Sequence, residues 1–166
     1  MTILLHACDG ELLPAVAIGA FAGIRSAERA RLDWSDINIA DGTIAVTKGK
    51  SKTGARRVIT MQPNLRAWLG PYTGQTGPVY QGDVHAFLRH LLRTCKAAGI
   101  EYPNKGLRNS FCSYHADKFR DPKALAHDMG HTTPETSFEH YRSLVNPGER
   151  ERYFKIMPLE VETCPS

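Results

Sequence analysis

The chain lacks any run approaching the roughly 20 consecutive apolar residues that a membrane-spanning helix needs, so a transmembrane class is a poor fit. Its start, MTILLHACDGELLP, has no basic segment ahead of the short apolar patch, which excludes a secretory signal and makes a cytoplasmic location the expectation. Cysteine is scarce: Cys8, Cys95, Cys112 and Cys164 form no C-x-x-C pair and match no zinc spacing. All four are expected to be reduced, and Cys112, in an apolar stretch, to behave as a small hydrophobe. Internal repeats and low-complexity tracts are absent, which excludes solenoids and collagen-like or long disordered segments.

What remains is the composition of one ordinary domain. The 166 residues are 42% hydrophobic and 23% charged, enough to bury a core without staples. Lys plus Arg number 21 against 17 Asp plus Glu, a net charge of +4 that favours a polyanionic partner only weakly. The expected organisation is a single domain over 1–166, with a core at about 11–156 and a tail at 157–166.

Hydrophobic patterning divides the chain. ELLPAVAIGAFAGI, residues 11–24, reads as a buried helix ending at Gly23, and Ser26 as the cap of a second, short helix. Residues 36–61 contain the β-branched runs DINI, TIAVT and RRVITM, split by Asp41-Gly42 and by the basic segment 48–55. Three antiparallel strands are predicted there. Pro63 opens a further helix, GPYTGQTGP is a loop by composition, and apolar spacing predicts helices over 83–98 and 105–119. Pro122, Pro134 and Pro147 each suit a first helical turn. The reading is α-α-β-β-β followed by about six helices, an α+β class that is mainly α.

Several local signals bear on chemistry. KGKSKTGARR, residues 48–57, holds Lys48, Lys50, Lys52, Arg56 and Arg57 with no acid. It reads as a solvated hairpin tip or as an arm touching a phosphate backbone. It is not a nucleotide phosphate loop, because Ile44 stands where the first glycine belongs and a strand follows instead of a helix. His127 and His131 are spaced i, i+4, but Asp-Met-Gly lies between them, which argues against a zinc protease; no metal or other cofactor is expected. Lys105 and Arg108, at i, i+3, share a helix face and repel one another unless something anionic lies there. Arg25 follows the end of the first helix, and Tyr141 lies between His140 and Arg142.

The order of these signals resembles the catalytic domain of the tyrosine recombinases, the phage-integrase family, over roughly residues 11–156. AFAGIRSAERARLDWSDINI is similar to the family's first arginine box, with Glu28 as its buried acidic partner. SKTGARRVITM resembles the hairpin with the catalytic lysine, KGLRNSFCSYHA the second arginine box, and MGHTTPETSFEHYRSLV the His and Tyr boxes. The resemblance implies that Arg25 and Arg108 grip the scissile phosphate and that Lys52 is the hairpin lysine. It makes Lys105 and His131 the further members of the site, and Tyr141 the nucleophile. Tyr141 stands one residue further from His131 than the family spacing, with His140 at the usual place.

The function implied is site-specific DNA recombination or integration through a 3′-phosphotyrosyl intermediate on double-stranded DNA, with Lys48, Lys50, Arg56 and Arg57 as DNA contacts. Type IB topoisomerase-like relaxation and a catalytically inactive DNA-binding module are the alternatives. The resemblance further implies a homo-oligomer, a tetramer, on DNA. It also implies an N-terminal DNA-clamping domain, which this sequence is expected to lack.

Overall fold

The computed structural model describes residues 1–47, 56–130 and 145–159. Its centre is α2 (Leu12–Phe21), in which Ala15, Val16, Ala17, Ile18 and Ala20 are all fully buried. A helix that is apolar on every side has to be covered on every side. Here α1 (Thr2–Ala7), α4 (Pro63–Leu69), α5 (Val84–Ala97) and α6 (Gly106–Phe119) supply that cover. The small α1 was not anticipated; it adds Leu4 and Leu5 to the core.

Three strands follow the short helix α3 (Ser26–Arg29) and a 3-10 turn at Trp34–Asp36. β1 (Ile37–Asn38), β2 (Thr43–Val46) and β3 (Arg57–Thr60) form an antiparallel sheet in the order β1-β2-β3, as predicted. Gly42, at φ +68°, makes the first turn, and the Asn38 amide donates to the Asp41 carboxylate at 2.6 Å across it. The register sets Ile44 against Ile59 and Val46 against Arg57. Because strand side chains alternate, this one face carries Ile44, Val46, Arg57 and Ile59, all buried. The sheet contacts α7 (Pro122–Met129) through β3.

Helix boundaries follow local chemistry. The Asp83 carboxylate accepts from Ala86 N–H at 2.7 Å to start α5. Asp121 accepts from Lys123 and Ala124 N–H, both at 3.0 Å, to start α7, with Pro122 in the first position as anticipated. Ser26 is not a cap: α3 begins at Ser26, and Glu28 reaches back to the Arg25 N–H at 3.3 Å. The loop at 70–78 holds a 3-10 turn at Gly70–Tyr72. Helix α8 (Pro147–Phe154) completes the five helices found after the sheet among the described residues. It closes this domain's own core: Tyr153 is buried, its hydroxyl donates to Ala20 O, and Trp68 Nε1 donates to Ile156 O at 3.0 Å. Cys8, Cys95 and Cys112 are buried free thiols. No helix among the described residues is long and apolar enough to cross a membrane.

A second, smaller core joins α6 to α7 through Phe111, Cys112, Ala116, Leu125 and Met129. His115 lies at its rim, stacked on Phe111 at 3.9 Å and tilted against Phe119 and Phe154. Its buried Nε2 has no hydrogen-bond partner. Burial, helped by Lys118, lowers its pKa to about 3. The folded-state pKa thus lies below the ordinary value, so the unfolded chain takes up this proton first as the pH falls. Stability from this group is complete above about pH 6.5 and is lost progressively toward pH 3, with a slope approaching about 1.4 kcal/mol per pH unit. Melting curves from pH 7 to pH 4 should show a smaller loss for His115→Leu than for the parent chain; equal losses would remove His115 as the cause.

Candidate active site

The site is built around a carboxylate in the interior. Glu28 is fully buried. A charge so placed is tolerated only when paired and hydrogen-bonded. Arg25 Nη1 donates to its Oε1 at 3.1 Å, and Arg57 Nη1 and Nη2 donate to Oε1 at 3.3 Å and Oε2 at 2.6 Å. The Arg57 fork is bidentate, the geometry in which guanidinium and carboxylate bind best. Local sequence explains the placement of Arg25. Gly23, at φ +61°, ends α2 where a Cβ would stand 2.3 Å from the Phe111 ring, so only glycine lets α2 and α6 meet there. Two residues on, Arg25 is extended and caps α3, one turn from Glu28.

The second component is the C-terminal end of α7, where main-chain carbonyls have no helical partners. Three arginines from three elements take three successive carbonyls. Arg57 Nε donates to Asp128 O at 3.0 Å, Arg108 Nη2 to Met129 O at 2.8 Å, and Arg25 Nη2 to Gly130 O at 2.7 Å. Arg108 Nη1 also donates to Gly23 O. The partial negative charge of a helix C-terminus favours cations there. Burial and the neighbouring Arg25 lower the Arg108 pKa to about 10, which leaves it charged at neutral pH. Gly130 has φ +61°, and a Cβ there would stand 2.9 Å from Arg25 Nη1 and 3.0 Å from Arg57 Nη1.

The structure therefore brings Arg25 and Arg108 to one helix end. The Arg25 side chain keeps 20% of its surface open. Lys105 is exposed at the N-cap of α6, in the left-handed region at φ +57°. Arg56 is exposed at the base of the hairpin. Arg57 departs from expectation: it is only 4% exposed and bound to Glu28 and Asp128 O, so it has no face for a DNA phosphate. The alternation of β3 gives the reason, since Arg57 is in phase with buried Ile59 while Arg56 and Val58 face out. The alternation in RRVITM carries that phase, whereas the charge run 48–57 taken as one unit hides it. Lys48, Lys50, Lys52, His131 and Tyr141 lie outside the described residues. Sequence reading did not identify the carbonyls of residues 128–130, which side-chain identity does not reveal. Among the described residues, no three His, Cys, Asp or Glu side chains are grouped to hold a metal ion.

A family model, the phage integrase family, matches residues 4–146. The chain belongs to that family. Among solved structures, this phage-integrase chain is similar in fold to the XerA recombinase, at 22% identity and a TM-score of 0.72, over 94% of this chain and 61% of that one. It is similar to the catalytic domain of bacteriophage HP1 integrase, at 22% identity and a TM-score of 0.65, over 95% and 92% of the two chains. A lambda integrase dimer bound to a COC′ core site gives 21% identity and a TM-score of 0.66 over 84% of this chain and 45% of that one. The chain thus spans about three fifths of the XerA recombinase and under half of that lambda integrase chain. None of the curated proteins compared with it matches.

Gly130→Ala tests the close packing at the end of α7. A left-handed alanine costs about 1–2 kcal/mol in backbone strain, before either arginine moves. The urea midpoint should fall by at least that equivalent with an unchanged m-value, which a denaturation curve reads directly.

Proposed function

We propose that the chain is the catalytic domain of a site-specific recombinase or integrase that cleaves and rejoins DNA through a 3′-phosphotyrosyl intermediate. The observation that carries this reading is the convergence of Arg25 and Arg108 on adjacent carbonyls, Gly130 O and Met129 O, at the end of the helix that leads to residue 131. Two guanidinium groups held together repel one another, and a phosphodiester between them relieves that repulsion. Guanidinium forks also match the non-bridging oxygens on which negative charge grows during phosphoryl transfer.

The remaining roles are those the family resemblance implies, and the chemistry suits them. The Tyr141 phenolate attacks phosphorus, the bond to the 5′ oxygen breaks, and Lys52 gives that oxygen a proton. A phenol has a pKa of ~10, and cations gathered about the phosphate would favour its ionised form. Lys105 and His131 complete the set around the phosphate. In the return step a 5′-hydroxyl attacks the phosphotyrosine and Lys52 recovers its proton. The covalent bond conserves the energy of the phosphodiester, so the exchange needs no ATP and no metal. Lys48, Lys50 and Arg56 contact the DNA backbone beside the site. A tetramer on paired DNA sites, with an N-terminal clamping domain on each copy, completes the reading.

Tyr141→Phe removes one oxygen. It should leave melting temperature and duplex affinity unchanged and abolish the SDS-resistant protein–DNA adduct; an adduct formed by the Phe variant sinks the assignment. Lys52→Ala should cleave an ordinary strand about 10²–10⁴-fold more slowly, the usual size of acid–base catalysis. It should recover on a 5′-bridging phosphorothiolate, whose sulfur leaves without a proton. Arg108→Ala should not recover on that substrate, because its non-bridging oxygens are unchanged.

A further inference from the structure

The positive run of the hairpin ends in a pair of arginines that the fold separates. Arg56 faces outward, and Arg57 faces inward with all three guanidinium nitrogens engaged. Both of Arg57's partners lead to Arg25. Glu28 Oε1 accepts from Arg57 Nη1 at 3.3 Å and from Arg25 Nη1 at 3.1 Å, so one oxygen is shared between the two. Asp128, whose carbonyl accepts from Arg57 Nε, lies two residues before Gly130, whose carbonyl accepts from Arg25 Nη2 at 2.7 Å. Arg25 is therefore held at two points, the Glu28 carboxylate and the end of α7, and Arg57 supports both from behind.

We propose that Arg57 is a positioning residue for strand transfer, which orients Arg25 through the shared Glu28 carboxylate and through the end of α7. The inference rests on the phosphoryl-transfer reading above. Without Arg57, the buried Glu28 carboxylate loses its bidentate partner, and Asp128 O loses a charged donor. Both changes shift the two anchor points of Arg25. A misplacement of about 1 Å in a catalytic group costs on the order of 10²-fold in rate. A phosphate contact would behave differently: its loss weakens duplex binding and flattens the salt dependence by about one unit of slope.

The test uses the full chain and a pool of nicked duplexes of randomised sequence, from which covalent capture first identifies a cleaved duplex. On that duplex, adduct rate, affinity, salt slope and melting temperature are measured for Arg57→Met, Arg57→Lys, Arg25→Ala and Arg25→Ala/Arg57→Met. Arg57→Met should lower the adduct rate about 10²-fold, with affinity and salt slope unchanged. Arg57→Lys, which keeps the charge but not the fork, should recover part of the rate. In the Arg25→Ala background, Arg57→Met should cost less than about threefold more, because residues acting through one another are not additive. A full additive loss in the double variant overturns the proposal. So does a lower affinity with a flatter salt slope, an unimpaired Arg57→Met, or an Arg57→Lys chain that does not fold. If the parent chain forms no adduct with any member of the pool, the strand-transfer reading fails, and this inference with it.

Discussion

The Glu28 carboxylate is the fixed point of this molecule. It is a carboxylate in an apolar interior, and among the described residues two guanidinium groups and a main-chain N–H converge on it to make its burial tolerable. Those donors come from the α2–α3 connection and from the first residue of β3. One carboxylate thereby ties the central helix layer to the sheet. Removing it would leave two arginines competing for helix carbonyls alone, with like charges facing one another.

The same cluster creates the conditions for anion chemistry. Among the described residues, Arg25, Arg57 and Arg108 set three guanidinium groups against two carboxylates, the fully buried Glu28 and Asp128, which lies close enough to Arg57 to feel its charge. The end of α7 offsets part of that positive charge with the main-chain carbonyls of residues 128–130. Arg57 is fully sheltered, Arg25 and Arg108 are only partly so, and the exposed charge is thereby confined to the two residues with surface to offer. Lys105 adds a cation at the positive end of α6, in a backbone conformation that a side-chain-bearing residue seldom adopts.

Much of the fold was legible because it rests on side-chain patterns. The unbroken apolar run of α2, the Asp41-Gly42 turn and the prolines that open α4, α7 and α8 are local signals, and the structure follows them. Where the structure departs from expectation, the reason is local and differs from place to place. The residue type of Ser26 suits a cap, but Glu28, one turn after Arg25, takes the Arg25 N–H. The neighbours of Arg57 suggest a surface charge, but the two-residue period of β3 turns it inward. Helix α1 has too few residues to show a period. Arg25 and Arg108 could be associated through the order of the motifs, whereas what brings them together, a series of main-chain carbonyls, has no signature in sequence. The expectations for Lys48, Lys50, Lys52, His131 and Tyr141 concern residues outside the described part.

Helix α7 is attached to the body through the small cluster it shares with α6, in which Leu125 and Met129 are its buried members beside Phe111, Cys112 and Ala116, through its contact with β3, and through the three arginines on its last carbonyls. Elements held by few apolar contacts open locally at lower cost than the global core. The carbonyls of residues 128–130 belong to that element. A fluctuation that lifts the end of α7 withdraws an acceptor from all three arginines together, so their alignment is gained or lost as a unit. The alignment of Arg25, Arg57 and Arg108 is thereby tied to the local stability of one short helix end.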